Sequence, residues 1–116
     1  DQNLRTAELV AIERAVNHTP VFANYDIDRI RPVSQTVISL FEEEDGLDAL
    51  FGLVREALPE KLFNTAYVLA CDVAASDGRA GGVETEMLAE IRDQLEIDRL
   101  HAGAIEFTVR ARHRVL

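Results

Sequence analysis

Residues 70–98 read ACDVAASDGRAGGVETEMLAEIRDQLEID. Apolar residues at helical spacing run up to Ser76-Asp77-Gly78, lapse through Gly81-Gly82, and resume after Glu84 and Glu86. A strand would alternate with a period of two, and this stretch does not. It predicts a helix, an acidic corner and a second helix. Working outward, the same period recurs along most of the chain. Leu4, Ala7, Val10, Ile12 and Val16 predict a first helix that ends near His18-Thr19-Pro20, because the residues before a proline are pushed toward extended geometry. A loop through Asn24 and Tyr25 follows. Ile30, Val33, Val37 and Phe41 mark a second helix, whose start falls between Asp26 and Ser34 because Pro32 is best tolerated in a first turn. The acids of 42–45 and Gly46 end it. A third helix covers 47–58 and stops at Pro59, which can equally open the fourth, over 60–76. The fifth covers 83–95. The sixth runs from Asp98, a suitable N-cap, to about His113.

The expected class is therefore all-α, with about six helices in one compact domain over 1–116. The length of 116 residues suits a single core, which is typically built from roughly 100 to 150 residues. A 47% hydrophobic fraction with 6% aromatic residues and no Trp favours helices over sheets. Cys71 has no second cysteine to pair with, and in an apolar helical pattern a free thiol behaves as a small buried hydrophobe.

Twelve Lys plus Arg against 21 Asp plus Glu give a formal charge of -9, which repels a phosphate backbone and argues against nucleic acid as a partner. No run approaches the roughly 18 apolar residues of a membrane span, and no signal-peptide pattern opens the sequence. The cytoplasm is the expected compartment. The acids of 42–45 read as a solvated corner. Arg110-Ala111-Arg112-His113-Arg114 puts cations where a helix C-terminus favours them; a membrane-surface or partner-docking segment is the other reading.

Enzyme signatures are absent: there is no GxSxG, HExxH, P-loop or CxxC pattern, and His18, His101 and His113 lie far from Cys71 in sequence. The corner holds the remaining chemistry. With Gly78 at position 6 of an EF-hand loop, Asp77 and Glu84 fall at positions 5 and 12, but positions 1 and 3 are Val73 and Ala75, which carry no side-chain oxygen. At about 100° per residue, Asp77 shares a stripe with Ala66, Ala70 and Val73, so it points inward and needs compensation from backbone N–H groups, a helix cap or a cation. Asp72 lies about 140° around the same helix and faces elsewhere unless the helix has loosened by that point, in which case it is a further candidate ligand for a metal. Glu84 and Glu86 stand in a first turn, where the helix dipole favours carboxylates with or without a metal.

The quoted stretch resembles the signature of the tellurite-resistance protein B (TerB-like) family. The likeness lies in a helix of small residues, an Asp77-Gly78 turn, a glutamate seven residues after the aspartate, and an amphipathic helix beyond. The resemblance implies a helical bundle of two related halves that takes part in resistance to tellurite and other stresses, alongside other stress-response proteins. It also implies a divalent cation held by acidic residues, here Asp77 and Glu84, with Glu86 adjacent. Hard oxygen ligands without thiolate or imidazole would suit Ca2+ or Mg2+. The first half departs from the pattern: VNHTPVFANYDIDRIRP offers Asp26 and Asp28 but no Asp-Gly turn. Asp28 could reach the second-half corner under pseudo-symmetric packing, although a helix N-cap is its simpler role. Asp45-Gly46 has no glutamate seven residues on and reads as a helix stop. The expected function is a non-enzymatic, stress-linked module that binds a divalent cation. The alternative is a metal-free structural or adaptor bundle that works through protein contacts.

Overall fold

The computed structural model describes residues 6–41, 43–76 and 82–116. Among the described residues there are six α-helices: α1 Thr6–His18, α2 Ile30–Phe41, α3 Gly46–Ala57, α4 Phe63–Ala75, α5 Gly82–Gln94 and α6 Arg99–Arg112. Short 3-10 turns occupy Pro20–Phe22, Ile27–Arg29 and Glu60–Leu62. No strand occurs among the described residues, so the chain is all-α.

Prolines punctuate the helices as their chemistry requires. Pro20 opens the turn that follows α1, Pro32 sits in the first turn of α2, and Pro59 precedes the turn that leads into α4. Three details differ from the sequence reading. The loop around Asn24 and Tyr25 is bracketed by two 3-10 turns, within which the Phe22 and Tyr25 rings meet edge to face at 5.7 Å. The fourth helix begins at Phe63, because 60–62 form a 3-10 turn of their own. Gly46 is the first residue of α3 rather than a stop for α2. Its reason is close approach: a Cβ at this position would overlap the carbonyl oxygen of Leu40, so only glycine lets α3 start there.

The chain divides into two compact units, 1–53 and 54–116, with the division falling inside α3. In the first unit α1 packs against the turn that leads into α2, and Val16, Ile30 and Phe51 are buried.

The second unit is built around α4. Of its thirteen residues only Asn64 is exposed, as expected for a helix that is apolar or small on all sides. Tyr67 and Cys71 on α4 form a buried cluster with Leu95, Ile97, Ala102 and Val109. Tyr67 bonds to Glu106 and Asp72 bonds to Arg112, so α4 and α6 run in the same direction and α5 supplies the return between them.

The turn from α5 to α6 is closely specified. The Ile97 N–H donates to the Arg92 carbonyl at 3.0 Å and the Glu96 N–H to the Asp93 carbonyl at 3.1 Å, the paired bonds of a Schellman motif. Its left-handed position is held by Glu96, with φ 53°, while Ile97 tucks into the cluster. Asp98 then caps α6 as expected, its Oδ1 accepting from the Leu100 N–H at 2.7 Å and the His101 N–H at 3.4 Å.

Candidate functional site

The acidic corner lies between the C-terminal end of α4 and the N-terminal end of α5. At its near side the Ser76 hydroxyl and N–H both donate to the Val73 carbonyl, at 2.7 and 3.2 Å, closing the last turn of α4. Asp77 and the glycines at 78 and 81 lie outside the described residues. Glu84 is the third residue of α5, so its backbone stands in the first turn, where the dipole favours a carboxylate; its side chain lies outside the described residues. Glu86 is exposed on α5.

The remaining proposed ligands are occupied otherwise. Asp72 turns to α6: Arg112 Nη2 donates to its two carboxylate oxygens at 3.3 and 3.2 Å, and His113 Nε2 lies 3.2 Å from Oδ1. Asp28 is exposed in the first unit. The N-cap there is Asp26, whose Oδ1 accepts from the Asp28 N–H at 3.0 Å, so the capping role read for Asp28 belongs to the residue two positions earlier. The register explains the shift: a cap accepts from the N–H two or three residues on, and the turn starts at Ile27. Among the described residues no three His, Cys, Asp or Glu side chains gather as a metal would need.

The second unit does hold a polar network that periodicity alone did not reveal. Tyr67, with no exposed surface, donates its hydroxyl to Glu106 Oε2 at 2.5 Å, and Arg92 Nη1 donates to the same oxygen at 2.9 Å. Each of α4, α5 and α6 contributes one member. Two signals in the sequence point toward it: a tyrosine in the middle of an apolar helix needs a partner for its hydroxyl, and Glu106 interrupts the inward stripe of Ala102, Ile105 and Val109.

Burial, then the bond to Glu106, raises the Tyr67 phenol well above its ordinary range. Burial likewise pushes the Cys71 thiol from 9.0 up to about 11, partly offset by its bond with Tyr67. Both groups are held protonated and neutral near neutral pH. A nucleophile or general base needs the opposite, so this network fastens three helices together without activating its thiol.

The outer side of α6 presents a different surface. Leu100 is 77% exposed and Phe107 64% exposed, one on each side of the exposed Gly103 and Ala104. Helical geometry puts Ala111 on the same stripe, while Arg99 and Arg110 fall together along one flank. Within α6 three arginines face one glutamate, so the helix carries +2 in a chain of net charge -9. Comparison with protein-family models, with curated proteins and with solved structures gives no match.

Proposed function

We propose that the chain is a non-enzymatic helical module that works by docking a protein partner, the adaptor alternative of the sequence reading, with the partner surface on α6. The observation that carries this is the exposed stripe of Leu100 and Phe107 on a helix whose opposite side is already buried by Ala102 and Val109. Two large apolar side chains on one stripe of a surface helix cost solvation unless a partner covers them. Site-specific photo-crosslinkers provide the test. Groups placed at Leu100 and Phe107 should yield protein adducts in cells, whereas groups at the exposed Glu56 and Lys61 should not. Equal yields at all four positions would remove α6 as the docking surface.

A second reading keeps the cation. Its support is the resemblance to the TerB-like family with its stress-linked role, together with the backbone of Glu84 standing in the first turn of α5, the helix that follows α4 in the chain. Calorimetric titration with Ca2+, Mg2+ and Mn2+ addresses it directly. Binding to the native state alone would stabilise by about 2.7 kcal/mol at a hundredfold excess over Kd, and Glu84→Gln should remove most of that gain. Silence to millimolar metal would leave the adaptor reading by itself.

A further inference from the structure

We infer that the outer face of α6 receives an amphipathic helix of a partner protein whose carboxylates lie along one flank, opposite Arg99 and Arg110. This rests on the docking role proposed above and specifies the chemistry of the partner. Leu100 and Phe107 are seven residues apart, the spacing that keeps two side chains on one seam of a helix pair.

Gly103 lies between them and is the most informative residue of the face. A glycine inside a helix costs about 1 kcal/mol relative to alanine. Among the described residues nothing crowds it: a Cβ at Gly103 would meet no atom within 4 Å. A second helix does provide a reason: interaxial distance is set by the side chains at the contact, and a glycine lets the partner backbone come close.

Charge then selects the kind of helix. Arg99 and Arg110 stand about 16 Å apart along one flank, while the other flank carries His101 and Thr108. With a net charge of -9, the chain repels a uniformly acidic surface, so the complementary partner confines its carboxylates to the flank that meets the arginines. An antiparallel second copy would bring the two arginine flanks to the same side of the seam, like charge against like. An anionic bilayer favours cations on both borders of an apolar stripe and has no use for a glycine.

Two synthetic helical peptides test the inference, identical in their leucine stripe but carrying Glu or Lys along one flank, titrated by fluorescence anisotropy against the full chain. The Glu peptide should bind about tenfold more tightly, and the advantage should shrink as salt rises from about 0.05 to about 0.5 M. The double variant Arg99→Glu, Arg110→Glu should reverse the preference, and Phe107→Ala should weaken both peptides. Gly103→Ala should raise the melting temperature while weakening binding, a combination that loss of folding cannot produce. Equal binding of both peptides would overturn the acidic-partner inference while leaving crosslinking at Leu100 and Phe107, and with it the docking role, intact. Failure of both peptides would overturn it, as would concentration-dependent dimers abolished by Phe107→Ser, or retention on phosphatidylserine vesicles that outcompetes the Glu peptide.

Discussion

Tyr67 shows how one buried hydroxyl constrains residues far away in sequence. Its ring occupies the centre of the second unit's core, and its oxygen has Glu106 as acceptor, 39 residues on. Removing the acceptor and removing the donor should not cost the same. Glu106→Ala leaves a fully buried hydroxyl with only the weakly accepting Cys71 sulfur beside it and should destabilise by about 1 to 3 kcal/mol, whereas Tyr67→Phe leaves Glu106 paired with Arg92 and should cost about 1 kcal/mol or less. Glu106→Gln, whose amide oxygen can still accept, should fall between them. Urea denaturation of the three variants checks the order. None of this pairing was legible from local periodicity, which cannot say which faces of two distant helices meet. Asp72 shows the same limit: spacing left it either facing away from the corner or joining it as a ligand, and could not name Arg112 and His113 as its neighbours.

The helices themselves were largely legible, because prolines, an N-cap aspartate and apolar spacing act locally. The α5–α6 turn marks the limit. Its Schellman motif is usually completed by glycine, and Glu96 occupies the left-handed position instead, so composition gave no sign of it. A side chain pays about 1 to 2 kcal/mol for that conformation. Glu96→Gly should therefore stabilise by about 1 kcal/mol after the added freedom of the unfolded chain is subtracted, raising the melting temperature by about 4 °C. Gly46 errs in the other direction. The sequence reading used it as a signal to stop, while the fold uses it to let α3 begin against the Leu40 carbonyl. Gly46→Ala should destabilise by about 1 to 3 kcal/mol, since the obstructing atom belongs to backbone that cannot rotate away. Thermal melts of both variants separate a glycine that is missing from one that is indispensable.

Stability of the whole chain carries a pH dependence set by its buried acids. Cys71 titrates at about 11 in the native state rather than 9.0, and Tyr67 is shifted upward as well. Above pH about 9 the unfolded chain releases protons that the folded chain keeps, so stability falls as pH rises, by up to about 1.4 kcal/mol per pH unit for each such group. The full contribution is present below the unfolded values and is lost as pH climbs through the native ones. Melting temperatures measured from pH about 8 to about 10.5 should decline, and Cys71→Ala should flatten the lower part of that decline. The candidate corner was legible as a constellation of residues but not as a site, because Asp77 lies outside the described residues and a carboxylate in a first turn is favoured with or without a metal.

The bond from Tyr67 to Glu106 also governs how the protein emits light. With no Trp and two Tyr in the sequence, tyrosine emission comes from Tyr25 and Tyr67 alone. An excited phenol is far more acidic than one at rest, and a carboxylate already bonded to its hydroxyl drains the excited state without emission. Tyr67 should therefore emit weakly in the folded chain, and unfolding should brighten the protein as that contact opens. Tyr67→Phe would leave native emission nearly unchanged while removing much of the increase, giving the second unit an optical reporter that needs no added label.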